Sequence, residues 1–118
     1  MKKIDYFYDY TEDNLYIYKD TKSYGSLEFG DSIILDVDKN LDIIAIEFLN
    51  ASKIISTLTG KKVTKKVLSN LKEAKIQTQK SGQIMITTFK LKINETEFIE
   101  DKISIPNIKY KSPVLARI

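Results

Sequence analysis

Neither cysteine nor histidine occurs in the 118 residues, and together these absences remove most familiar catalytic equipment. Without thiols there is no disulfide framework, thiolate nucleophile or cysteine-based zinc site. Without imidazole the usual general base and nitrogen ligand are missing. Tryptophan is absent as well, and proline occurs only twice and glycine four times. No apolar run approaches the ~20 residues needed to cross a bilayer. The segment MKKIDYFYDY puts Asp5 and Asp9 where a signal peptide needs an unbroken apolar stretch. These features predict one soluble cytoplasmic domain over 1–118, large enough at 13.6 kDa to bury a core without staples.

Arginine is nearly missing too, with Arg117 alone against 18 lysines. The net charge of +3 conceals a division. Residues 1–59 carry 6 lysines against 11 acids, a balance of −5, and residues 60–118 carry 13 basic residues against 5 acids, a balance of +8. Opposed halves of this kind can face each other, join two chains head to tail, or bring the basic half to an acidic partner.

Alternation supplies the elements that are present. Ile4, Tyr6, Tyr8 and Tyr10 alternate with Asp5, Phe7 and Asp9, and after the polar turn Glu12-Asp13-Asn14 a second alternating run covers Leu15 to Tyr18. That is the pattern of a β-hairpin. Short strands around Leu27–Phe29 and Ile33–Val37, then a longer one within 41–49, extend it to a predicted antiparallel meander of about five strands. The last is apolar on both faces and belongs in the centre. Asn50 is expected to cap a helix with the stripe Ala51, Ile54, Ile55 and Leu58, ended by Gly60. Thr64 caps a second, with Val63 and Leu68 as its hydrophobic staple and Val67, Leu71 and Ala74 continuing the stripe. After Lys75 the period returns to two. A Ser81-Gly82 turn leads to a strand with Met85, Thr87, Phe89, Leu91 and Ile93 on one face, and a further strand from Phe98 to Ile105 is expected to bulge or break at Glu100–Lys102. The tail beyond Pro106 reads as extended, lying on a sheet edge through Val114, Leu115 and Ile118. The fold class is therefore α+β: an N-terminal antiparallel meander, two central helices and C-terminal antiparallel strands.

The blocks YDYTEDNLYI, SIILDVD and IAIEFLNAS resemble, in order and spacing, the prokaryotic family called domain of unknown function 2283 (DUF2283), over about residues 5–55. The resemblance brings no established chemistry with it. The family's members are often encoded beside small toxin-like proteins, so an antitoxin-like neutralising role is one that the resemblance suggests. The family's recurring polar positions correspond to Asp9, Asp13, Asp36, Asp38, Glu47 and Ser52. Where the family usually has Gly after the acidic turn this chain has Leu41, which would be strained by about 1–2 kcal/mol in a left-handed conformation, so that conformation is expected to move to Asn40. Where the family often has Gly before Ile-Glu, this chain has Ala45.

Three functional classes compete. Asp9, Asp36, Asp38 and Glu47 could converge on a hard divalent cation that orients a phosphate, but acids at strand ends more often brace their own turns, and no base completes a site. Glu47, in mid-strand, needs a partner if buried, and Lys53 or a lysine from the basic half would serve equally. Lys61, Lys62, Lys65, Lys66 and Lys72, with Lys90, Lys92, Lys109, Lys111 and Arg117, could neutralise nucleic-acid phosphates. Base readout favours arginine, however, and nine of the twelve tyrosines and phenylalanines lie before residue 50, away from these lysines. Tyr16 and Tyr18, on the less covered sheet face, offer a contact patch instead. The favoured reading is a non-catalytic protein-binding or assembly module that meets a protein partner or a second copy of itself. It needs no cofactor and involves no membrane, with Tyr16, Tyr18, Lys65, Lys66, Lys72, Lys90 and Lys92 as interaction candidates.

Overall fold

In the segment IIAIEF, apolar residues occupy both faces of an extended chain, and this decides the layout of the first sheet. A computed structural model describes residues 4–106; the expectations for the tail, including Lys109, Lys111, Arg117 and the Val114, Leu115 and Ile118 contacts, fall outside them. β1 (Ile4–Asp9), β2 (Asn14–Lys19), β3 (Gly25–Phe29), β4 (Ile33–Val37) and β5 (Ile43–Phe48) form an antiparallel sheet in the order β1-β2-β5-β4-β3. The strands are those read from the sequence, but a sequential meander is not what they form. Because β5 is apolar on both sides it takes the middle, β3 and β4 fold back along one edge of it, and the β1–β2 hairpin docks on the other.

The inner face carries Leu15 and Ile17 from β2, Leu35 and Val37 from β4, and Ile46 and Phe48 from β5, all buried. A one-residue slip between Asp36 and Val37 pairs Val37 with Ile43 and turns Ile43 into the same core. Against this face packs a second antiparallel sheet, β6 (Glu73–Ser81), β7 (Ile84–Lys92) and β8 (Phe98–Pro106), in sequential order. Phe48 and Phe89 meet edge to face across the two layers, ring centroids 4.9 Å apart. Burying rings and branched chains of this size stabilises by about 1.5–3 kcal/mol each. The one fully buried polar side chain among the described residues, Thr87, shares a hydrogen bond of 3.2 Å with Thr78 on the neighbouring strand.

β8 runs unbroken through Glu100–Lys102, in continuous register with β7. No bulge is needed there, because Glu100 and Lys102 alternate outward while Ile99 and Ile103 stay buried. Helix α1 (Ala51–Thr59) buries Ala51 and Ile55 of its expected stripe, leaves Ile54 half-buried and Leu58 exposed near its end, and stops on Gly60 in the left-handed conformation as expected. Helix α2 (Lys65–Ser69) starts at Thr64, whose hydroxyl accepts from the Val67 N–H at 3.1 Å, with the staple residues Val63 and Leu68 both buried. It is shorter than its stripe suggested. Asn70 closes it, Leu71 lies beyond it, and Ala74 belongs to β6, where it alternates with Ile76. No helix among the described residues is long and apolar enough to cross a membrane.

The turn after β4 also departs from expectation. Leu41 itself takes the left-handed conformation, with φ 63°, and Asn40 does not. The Asp38 carboxylate accepts from the Asn40 and Asp42 N–H groups at 2.9 and 3.0 Å, and the Asp38 N–H bonds the Asp42 carbonyl. This closed set of bonds fixes the left-handed position at residue 41, and the half-buried Leu41 side chain packs on the core.

Candidate interaction surface

With one face of the five-stranded sheet occupied by the core, its other face is left to solvent, and the register dictates what it displays. One row across the strands reads Phe7, Tyr16, Glu47, Ile34, Glu28, and the next reads Asp5, Tyr18, Ala45, Asp36, Ser26. Asp9 lies on the same side of β1. Phe7 is 62% exposed, and the rings of Tyr16 and Tyr18 stack at 4.8 Å. The carboxylates of this face are Asp5, Asp9, Glu28, Asp36 and Glu47, and no lysine or arginine stands among its strand residues.

Ala45 is what lets the aromatic part form. It sits on β5 between Tyr18 and Asp36 and is almost fully buried. Over it the Tyr16 phenol reaches from β2 to β4 and donates to the Asp36 carboxylate at 3.0 Å, while the Ser26 hydroxyl donates to the other oxygen at 2.7 Å. Partial burial, the bond to Asp36, and the charges of Asp36 and Glu47 push the Tyr16 hydroxyl up to about 12. Glu47, directly opposite Tyr16, is half-buried and makes no ion pair with Lys53 or any other described residue. Its strand directs it away from the helix that carries Lys53.

Asp13 has a different task. It lies in the β1–β2 turn with φ 55°, and it caps α1 from a distance. Its carboxylate accepts from the Ser52 N–H at 3.2 Å and the Ser52 hydroxyl at 2.6 Å, and its main-chain oxygen accepts from the Ala51 N–H at 2.7 Å. The Tyr8 hydroxyl adds a bond of 2.6 Å. Asn50, expected to cap this helix, makes no side-chain capping bond; it takes a left-handed conformation instead, which turns the chain so that Asp13 reaches the first turn. Burial alone would raise the Asp13 carboxyl. The bonds from Ser52 and Tyr8 and the nearby Lys65 charge outweigh burial and hold it below its ordinary value, whereas the Tyr8 hydroxyl is raised by burial and by Asp13.

The proposed carboxylate cluster does not assemble. Asp36 is held by Tyr16 and Ser26, Asp38 by its own turn, and Asp9 by the Glu12 N–H at 3.1 Å. Among the described residues no group of three or more acids is placed to hold a metal ion. The interaction lysines divide as well. Lys65 lies over the Tyr10 ring at 4.5 Å, and Lys90 and Lys92 lie over Phe98 at 4.3 and 5.9 Å on the outer face of the second sheet. Lys61, Lys62, Lys66 and Lys72 are exposed around α2. A cleft of about 690 Å³ opens where the two sheets part, lined by Ile4, Lys19, Ile43, Ile44 and Gln77, and the Lys80–Asp42 ion pair at 2.7 Å ties the sheets together there. Sequence reasoning found neither the cleft nor the Asp13–Ser52 bond, although both partners of that bond stood among the family's polar positions.

Comparison with known proteins places this arrangement. An uncharacterised protein of Methanocaldococcus jannaschii is 49% identical over 55 residues, covering 46% of this chain and 45% of that protein. The chain thus spans less than half the length of that relative. A protein of Methanosarcina mazei, provisionally named hypoxanthine phosphoribosyltransferase, is 31% identical over 97 residues, covering 82% of this chain and 74% of that protein. The family described as Protein of unknown function (DUF2283) matches residues 5–52. The chain resembles the DUF2283 family over this segment. No solved structure matches it. The DUF2283 segment corresponds to the first sheet and the first turn of α1. Of its polar positions, Asp13 and Ser52 join the hairpin to the helix, Asp36 fixes Tyr16, and Asp38 closes a turn. Glu47 alone of this set stands on the open face with no described partner.

Proposed function

We propose that this protein is a non-catalytic protein-binding or assembly module and that its contact surface is the outer face of the five-stranded sheet. The observation that carries this reading is the surface itself: exposed Phe7 and the half-buried, stacked Tyr16 and Tyr18 and Ile34 on one face, among carboxylates that make no ion pair with a described residue. Rigid aromatic area with polar tips is what interfaces concentrate, and the surrounding acids select a basic partner. The family's other polar residues support the reading from the opposite direction, because their hydrogen bonds are satisfied within the fold. Our reading does not adopt the name carried by the Methanosarcina relative. Phosphoribosyl transfer needs a phosphate cradle, and the N-terminus of α1 already holds the Asp13 carboxylate, which repels an incoming anion.

The test is affinity capture from the native cells with wild type and with a Phe7→Glu, Ile34→Lys variant, read by mass spectrometry. The reading requires a protein retained by wild type and lost with the variant; equal retention refutes it. A second reading has one observation in its favour, since Phe98 stands exposed on the second sheet with Lys90 and Lys92 over its ring, although Glu100 is its next neighbour on that face. Lysines flanking an open ring suit a single-stranded nucleic acid. Salt-sensitive binding of a single-stranded oligonucleotide, lost on Phe98→Ala, supports that reading, and no binding at low salt ends it.

A further inference from the structure

The acidic face has a chemical counterpart on the same chain. Between Gly60 and Lys72 the sequence GKKVTKKVLSNLK carries five lysines and no acid. Lys61, Lys62, Lys66 and Lys72 are exposed, and none forms an ion pair with a described residue. Only Lys65 is engaged within the fold, over Tyr10 and near Asp13. α2 packs on α1 and β1 at the edge of the molecule. None of these lysines lies within ion-pair reach of Asp5, Asp9, Glu28, Asp36 or Glu47 of its own chain. Each copy therefore presents an acidic face and a lysine-bearing segment that make no ion pair with each other.

We propose that the acidic outer face of one copy receives the lysine-bearing segment 60–72 of a second copy, so that the chains associate head to tail. The inference rests on the reading of that face as the contact surface and names its partner. Two observations favour a second copy. The charges match, because an acidic face with no lysine or arginine among its described strand residues meets an acid-free lysine segment. The aromatic rings supply the rest, because an ammonium approaching Tyr16, Tyr18 or Phe7 gains a ring face as well as a carboxylate. Since the two surfaces differ, the contact is heterologous, and each association leaves one acidic and one basic surface open for another copy. Exposed charges are screened over about 8 Å at physiological salt, so the association is strongest at low ionic strength.

Sedimentation equilibrium over a range of concentrations tests this with the wild type, an Asp5→Lys, Glu47→Lys variant and a Lys62→Glu, Lys66→Glu variant. Circular dichroism checks that each is folded. The wild type should exceed the 13.6 kDa of one chain as concentration rises at low salt and return to it at high salt. Each variant alone has one usable surface and one spoiled surface, and stays at 13.6 kDa. An equimolar mixture of the two variants joins the intact acidic face of one to the intact lysine segment of the other and stops at twice that mass. A wild type that remains a single chain at low salt overturns the proposal, and so does a mixture that gives no pair. If the wild type is a single chain while the Phe7, Ile34 variant still loses a captured protein, the face stands and the second copy is excluded. If nothing is lost with that variant either, both readings fail.

Discussion

Replacing Asp13 should be among the most damaging single changes outside the core, although the residue sits in a surface turn. Its carboxylate closes the first turn of α1 through Ser52 and holds the Tyr8 hydroxyl. Losing a helix cap costs about 0.5–2 kcal/mol. Stranding a half-buried hydroxyl adds about 1–3 kcal/mol. An alanine held at the left-handed φ of 55° adds about 1 kcal/mol more. Asp13→Ala should therefore lose about 3–5 kcal/mol, whereas Asp13→Asn keeps an acceptor and tolerates the left-handed conformation, and should lose about 1–2 kcal/mol. Urea unfolding followed by circular dichroism gives both values from the midpoint shifts, and a cycle with Ser52→Ala isolates the shared bond at about 1 kcal/mol. The carboxyl titrates below its ordinary 3.8 in the folded chain, so its contribution is present above that value and is lost as the pH falls through the folded value. The wild type should accordingly lose stability below about pH 4 more steeply than Asp13→Asn. An Asp13→Ala variant within about 0.5 kcal/mol of wild type, or an Asn variant as damaged as the Ala one, would refute the bridging role.

Ala45→Leu should cost about 1–3 kcal/mol, because the added carbons occupy the space over which the Tyr16 phenol crosses β5. A spectrophotometric titration should then show the Tyr16 hydroxyl moving down from about 12 towards its ordinary 10.0, and an unchanged titration means the phenol does not lie there. In the wild type the raised value makes the neutral phenol stabilising below pH 10, a contribution lost as the pH rises towards 12. At position 41 the usual order of small residues should invert. Both Leu41→Gly and Leu41→Ala remove the side chain, but only glycine relieves the positive φ, so the glycine variant should be the more stable by about 1 kcal/mol in thermal or urea unfolding. Alanine equal to or better than glycine would show that Leu41 is not left-handed in solution.

Much of the fold was legible because alternation and apolar stripes report burial directly. Leu15, Ile17 and the alternate residues from Met85 to Leu91 are buried on the predicted parity, and Thr64 with Val63 and Leu68 marks its helix start. What failed were inferences that used only neighbouring residues where a distant one decides. Asn50 looked like a cap from its position, but Asp13, far away in sequence, supplies the carboxylate. Leu41 looked unsuited to a left-handed turn, but the bonds around Asp38 impose it. The charged stretch Glu100–Lys102 looked like a break, but on an outer face alternation hides charges without one. The open sheet face was half legible. Tyr16 and Tyr18 were singled out, whereas Phe7, Ile34 and Glu47 joined them only when the order β1-β2-β5-β4-β3 set their strands side by side. Registers across non-sequential strands leave no local signal.

The central claim, that this aromatic and acidic face is where the protein meets its partner, is tested most directly by site-specific photo-cross-linking in the native cells. A benzophenone side chain replaces Phe7, whose exposure makes the change harmless to the core, and in a parallel strain it replaces Ile84, exposed on the other sheet. A discrete protein adduct should form at position 7 and not at position 84. Adducts at position 84 with none at position 7 would contradict the account.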